Sequence, residues 1–258
     1  MSSLLSRLPE FKSPEELLEA AYQARARRQR KTLEYFFPSE GPYRRELYPK
    51  HMQFFAAGGT HEPIPGCCPP ECDGTAHKER LFLAGNRTGK TEAGAYETTL
   101  HLTGKYPAWW TGKRFDKHIK AWACSDTSKT LKGVLQEKFL GSPSKRGTGM
   151  IPADDIVYTT NKAGVAEAVD TIYVRHVSGD VSSVQLKSYE EGAASYYGSS
   201  IEVGWADEEP PLSIWTEMLV RTMDTNGICM LTFTPLQGLS EVVLSFLPDG
   251  AQPKVTTE

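Results

Sequence analysis

The stretch Ala84-Gly85-Asn86-Arg87-Thr88-Gly89-Lys90-Thr91 constrains this chain more than any other. It follows a short apolar run, Arg80 to Leu83, and precedes a segment from about Gly89 to Leu102 that reads as a helix. A strand that runs through a small-residue loop into a helix start aims several backbone N–H groups, and the positive end of the helix dipole, at one point. The spacing is that of the phosphate-binding pattern G-x-x-x-x-G-K-[ST], with Ala84 in place of the first glycine. Alanine serves there provided its φ is negative. In such a loop Lys90 reaches the β- and γ-phosphates as a point charge, and Thr91 offers a hydroxyl to Mg²⁺. Residues Ala84, Gly85, Asn86, Arg87, Thr88, Gly89, Lys90 and Thr91 are therefore the expected cradle for ATP. Arg87 reads either as a cation that meets charge developing on the γ-phosphoryl group or as an exposed flanking residue.

The rest of the chain fits an α/β fold with a mostly parallel central sheet flanked by helices on both faces. Ile119 to Cys124, Ile201 to Ala206 and Ile228 to Phe233 read as strands. Thr171 to Val177 and Val181 to Leu186 alternate at strand period around the turn Ser178-Gly179-Asp180. Ser125 or Asp126 is the expected cap of a helix reaching Lys138, and Ser240 to Leu247 reads as a short helix. Near the N-terminus, Ser13-Pro14-Glu15-Glu16 offers a capping box. The helix it starts would end in Arg25, Arg27, Arg28, Arg30 and Lys31, either a solvated basic end or a contact to DNA or a neighbouring subunit. We expect an N-terminal helical and basic segment over 1–46, a nucleotide domain over 47–250 and a tail over 251–258.

The strand at Ile201 ends in Asp207-Glu208-Glu209. Asp207 is the expected Mg²⁺-side carboxylate, and Glu208 is placed to polarise a water for attack on the γ-phosphate. Glu209 is a candidate cap for the backbone after the strand. Alone, this run would read as a solvated acidic turn; a phosphate loop upstream changes its weight. Gln53, which both donates and accepts, suits an adenine edge.

Net charge is −3 at pH 7, which argues against a globally basic nucleic-acid binder but not against local cationic patches. No apolar run approaches the roughly 20 residues that span a bilayer, and the N-terminus lacks a signal-peptide pattern. We expect a cytosolic protein with no membrane partner. Cys67, Cys68, Cys72 and His77 lie together in a Pro/Gly-rich loop. Four N/S donors suit structural Zn²⁺, yet adjacent Cys67 and Cys68 lack the usual paired spacing, so reduced thiols are the competing reading. Cys124 and Cys229 read as core residues.

Taken together, the segments Lys187-Ser188-Tyr189-Glu190-Glu191-Gly192, Tyr197-Gly198-Ser199, Trp205 to Pro211, Glu217 to Arg221 and Thr232 to Gly238, with the phosphate loop, resemble the large terminase subunit of tailed double-stranded DNA bacteriophages. The resemblance spans most of Tyr48 to Gly238. It implies a P-loop NTPase of the additional-strand (ASCE) type: an ATP-driven motor that moves double-stranded DNA into a procapsid in the cytoplasm of an infected bacterium. It assigns the adenine side to Gln53, and the coupling of hydrolysis to motion to Thr232 and Thr234. It implies portal protein and small terminase subunit as partners and a homo-oligomeric ring on the procapsid, with a monomer expected in isolation. Many members carry an arginine where Asn86 stands, and an arginine where Tyr197 precedes Gly198. Arg221 is a candidate for the arginine acting between subunits, or else a structural ion pair. Family members usually also carry a nuclease domain, for which no room is expected after Ser240, so no nuclease activity is expected of these residues. A helicase-type DNA-dependent ATPase is the alternative reading.

Overall fold

The computed structural model describes residues 13–19, 33–41, 43–63, 72–235 and 240–247. The chain places α1 at Pro49–Ala56, β1 at Glu79–Leu83, α2 at Lys90–Thr103 and β2 at Lys120–Ser125. A composite helix α3 follows, made of Ser128–Thr130, a π-helical stretch Leu131–Gln136 and Glu137–Leu140. Then come β3 at Ile156–Asn161, β4 at Val169–Arg175, β5 at Val181–Ser188, β6 at Val203–Asp207, α4 at Leu212–Met223, β7 at Ile228–Phe233 and α5 at Glu241–Ser245. The strands form one 7-stranded sheet in the order β1-β7-β6-β2-β5-β4-β3. Strands β1, β7, β6, β2 and β5 run parallel, and the β5-β4-β3 edge is antiparallel. The α/β class and the mostly parallel sheet expected from the sequence are present.

The central strands β6 and β7 are buried at every position because both faces of the sheet are covered. Along β7, Ile228 and Met230 pack into one core with Tyr96 and Leu100 of α2, while Cys229, Leu231 and Phe233 pack into the other with Trp215 and Met218 of α4 and Val242 of α5. Cys124 and Cys229 are fully buried, as core residues, and burial pushes both thiols up to about 12. At the N-terminal side, buried Arg80 of β1 forks onto Glu97 of α2 and donates to the Phe54 carbonyl of α1, so one guanidinium ties three elements. Breaking such a buried pair typically costs about 3–5 kcal/mol. Among the described helices, none is long and apolar enough to cross a membrane.

Three sequence expectations need adjustment. The cap of α3 is Thr127, whose hydroxyl accepts from the Thr130 N–H at 3.1 Å. Ser125 remains in β2, paired with Ser188, and the Asp126 carboxylate instead accepts from the Thr127 N–H at 2.7 Å. Helix α4 and edge strand β3 were not expected. The Ser13 cap is present, its hydroxyl accepting from the Glu16 N–H at 3.2 Å; the basic residues at 25–31 and the tail over 251–258 lie outside the described residues.

Gly94 sets the distance between α2 and the sheet. A Cβ there would lie 2.2 Å from both Nε1 and Cε2 of Trp205 on β6. Alanine gains about 1 kcal/mol of helix propensity over glycine. Overpacking a closed core costs about 1–3 kcal/mol, and an overlap against a fully buried indole belongs at the upper end. We therefore expect Gly94→Ala to lower the melting temperature by several degrees in a thermal unfolding scan. An unchanged or higher value would show that the indole yields freely.

Candidate active site

The parallel strands end on one edge of the sheet, where the loop at 84–91 meets Asp207, Glu208, Thr232 and Thr234. The loop after β1 leads into α2, whose cap, Gly89, sits at φ +85°. Arg87 is exposed at φ +61°, and Ala84 lies outside the left-handed region. The loop is closed by its own contacts. The Gly85 carbonyl accepts from Lys90 Nζ at 2.6 Å and from Thr88 Oγ1 at 2.9 Å. Asn86 Oδ1 accepts from Thr234 Oγ1 at 3.1 Å, which joins the loop to the end of β7.

Asp207 closes β6 and is buried. Thr91 Oγ1, 116 positions away in the chain, donates to its carboxylate oxygens at 3.0 and 3.1 Å. Thr232 Oγ1 donates to Oδ1 at 2.8 Å and itself accepts from Trp205 Nε1 at 2.9 Å. Indole, hydroxyl and carboxylate thus form a directed relay that fixes the orientation of Asp207. Burial, opposed by the two hydroxyl bonds, pushes the Asp207 carboxyl up to about 7. A buried carboxylate in this state favours a cation beside it, and one carboxylate with one alcohol is the hard-oxygen donor set that suits Mg²⁺.

Glu208 follows at φ +69°, a conformation that costs a non-glycine residue on the order of 1 kcal/mol. Two contacts hold it there: its N–H donates to the Thr232 carbonyl at 2.9 Å, and its carbonyl accepts from Tyr189 Oη at 2.8 Å. Its side chain is half-buried. Burial raises its carboxyl, the Lys90 charge lowers it and Asp126 raises it again. Lys90 is the counterpart, lowered by burial against the pull of Glu208 and Asp207. A cation and two carboxylates therefore share one partly desolvated cleft, a pattern typical of reactive sites.

The remaining candidates fall as follows. Gln53 lies half-buried on α1, two positions from His51. Arg221 is held by Glu217, whose Oε1 accepts from Nε at 2.7 Å, and it donates to the Gly198 carbonyl at 3.2 Å, the geometry of a structural ion pair. Glu209 is half-buried. Of the four residues considered for zinc, Cys67 and Cys68 lie outside the described residues, while Cys72 and His77 are in contact. The sequence reading missed His51, Tyr189 as the prop of Glu208, Trp205 as the donor to Thr232, and His61. His51 is buried on α1 with its Nε2 3.3 Å from the Gly89 carbonyl. Its position three residues into a Pro-started helix gave no local hint of a contact 38 positions away.

Residues 81–257 match the family described as terminase large subunit, T4-like-virus type, N-terminal. The chain is also similar to the large terminase subunit of Salmonella phage P22, with 36% identity over 194 residues, covering 67% of this chain and 39% of that protein. It thus spans well under half the length of that relative. No solved structure matches.

Proposed function

The chain belongs to the terminase large-subunit family, in its N-terminal part, and from that premise and the site geometry we propose that it is an ATP-hydrolysing motor domain that drives double-stranded DNA into a viral procapsid. The observation that carries this reading is the contact between the Thr91 hydroxyl and the Asp207 carboxylate. It joins the phosphate loop to the acidic strand end, which is the arrangement a nucleoside triphosphate with its metal requires. Insertion of β7 between β1 and β6 supports assignment to the additional-strand class of P-loop NTPases.

In this reading the triphosphate lies over Gly85 to Thr91 and displaces Lys90 Nζ from the Gly85 carbonyl toward the β- and γ-phosphates. Thr91 and Asp207 would hold Mg²⁺, which when bound would neutralise charge on the phosphate oxygens. Glu208 orients the attacking water and accepts its proton. Lys90 and Arg87 meet the charge that develops as the γ-phosphoryl group leaves. Gln53 reads the adenine edge. Thr232 and Thr234 bond to the acid and to the loop respectively, so a shift of either on hydrolysis is transmitted to β7, the coupling step. Portal protein, small terminase subunit and further copies of the chain on the procapsid, in the cytoplasm of an infected bacterium, are the partners this function calls for.

The test is ATP turnover measured alone, with linear double-stranded DNA, and with DNA plus procapsids carrying portal. Turnover that rises with DNA and again with procapsids, without strand separation, is the expected result. Efficient unwinding of a forked duplex with no response to procapsids would favour a helicase-type ATPase instead.

A further inference from the structure

Three side chains on the connection between α1 and β1 converge, and none of them takes part in the nucleotide site. His61 Nε2 lies 3.6 Å from Cys72 Sγ, and His77 Nε2 lies 3.4 Å from the same sulfur. All three donor atoms fall within 4.8 Å of one another. A tetrahedral zinc, with its usual Zn–S and Zn–N distances, separates neighbouring S and N donors by about 3.6 Å. Both sulfur–nitrogen separations therefore already match the spacing that a shared zinc ion would impose.

The hydrogen bonding of His61 points the same way. Its Nδ1 lies 3.0 Å from the Gly59 carbonyl. A carbonyl only accepts, so Nδ1 is the donor there, and Nε2 is the nitrogen that faces Cys72. A ligating histidine is commonly oriented in this manner, its second nitrogen donating to a carbonyl. The backbone holds the three residues in place as well. The His61 N–H donates to the Gly74 carbonyl at 2.9 Å, and the His77 N–H donates to the Ala57 carbonyl at 2.8 Å. Gly74 sits at φ +82°, and a Cβ there would lie 2.4 Å from the His61 carbonyl oxygen, so this closure requires glycine. The Asp73 carboxylate accepts from the Thr75 N–H at 2.9 Å and fixes the turn between the second and third residues.

We propose that His61, Cys72 and His77 form a structural zinc site that clasps the connection between α1 and β1. On binding, the Cys72 thiol proton passes to solvent and the thiolate ligates. The protein supplies three donors, and the fourth position goes to water or to a further N or S donor. The clasp fastens the end of α1 to the start of β1. It thereby steadies the helix that carries His51 against the Gly89 carbonyl. The geometry is independent of the nucleotide reading and stands or falls separately.

The test uses the full chain, stripped with chelator, reloaded with Zn²⁺ and desalted, with metal counted by mass spectrometry. Roughly one zinc per chain is expected, with a melting temperature that falls on chelation and recovers on reloading. Co²⁺ in place of Zn²⁺ should give thiolate-to-metal charge transfer, which Cys72→Ser abolishes. His61→Ala and His77→Ala should each retain less than about a tenth of the metal, whereas the double variant C67S/C68S should still bind it. The comparison within the parent, with and without metal, holds even if a ligand variant folds poorly. Two results overturn the proposal. One is a folded parent that keeps no zinc, which leaves a hydrogen-bonded thiol–imidazole trio. The other is metal that survives Cys72→Ser but is lost in C67S/C68S.

Discussion

Glu208→Gln is expected to slow ATP turnover by on the order of 10² to 10⁴ while ATP still binds. Glutamine keeps the shape of the side chain and can still contact water, but it cannot take a proton from it. The backbone should tolerate the exchange, because the contacts that hold Glu208 at φ +69° come from its own N–H and carbonyl, to the Thr232 carbonyl and the Tyr189 hydroxyl, and not from its carboxylate. Binding measured with a fluorescent ATP analogue, beside single-turnover hydrolysis, separates the two effects. The neighbouring acid provides the control. If Glu209→Gln abolishes turnover and Glu208→Gln does not, the water-activating residue is one position along. If both variants hydrolyse ATP at the parent rate, the acidic site is not where the chemistry occurs.

Lys90→Ala should behave differently, with ATP affinity and turnover both falling, the latter by on the order of 10² to 10³. In the proposed mechanism the ammonium would touch the phosphates in the ground state and in the transition state alike, so no clean split between binding and rate is expected. In the present geometry Nζ rests on the Gly85 carbonyl, inside the loop that the phosphates would enter. Its charge also offsets that of Asp207 and Glu208. Desolvation of the Lys90 ammonium outweighs its attraction to Glu208 and Asp207, so the variant should melt close to the parent. Near-parent melting with lost nucleotide binding identifies a binding group. Retained affinity and rate would remove the phosphate loop from the mechanism.

The strand–loop–helix turn at 84–91 and the acidic strand end were legible from sequence because each is a local pattern with a short-range physical cause: small residues before a helix start, and carboxylates after an apolar run. Strand β7 was legible for the same reason, since burial on both faces goes with the apolar stretch 228–231. Strand order was not, because no local feature of Ile228 to Phe233 tells that it inserts between β1 and β6. Helix α4 did leave a trace that went unread: Ile214, Trp215, Met218 and Thr222 recur on one face and are buried. Strand β3 left almost none, since most of its residues are exposed and it pairs only at the sheet edge. The supports of the site were the least legible. His51, Tyr189 and Trp205 support the site through contacts 38, 19 and 27 positions away, and each contact depends on the folded sheet. His61 belongs with Cys72 across 11 positions of a loop without periodicity.

The missing side chain at Gly94 reaches further than the fit of one helix. The indole it admits is the donor to Thr232, and Thr232 is a donor to Asp207. Positions 94 and 205 are therefore not free to vary one at a time. A lineage that acquires alanine at 94 relieves the overlap by trimming the residue at 205, and a smaller apolar residue there gives up the N–H that orients Thr232. The route back to a working carboxylate would then have to run through a third change at 232. A library randomised at these three positions should accordingly yield active members in linked sets, with glycine at 94 and tryptophan at 205 recovered together far more often than their separate frequencies predict.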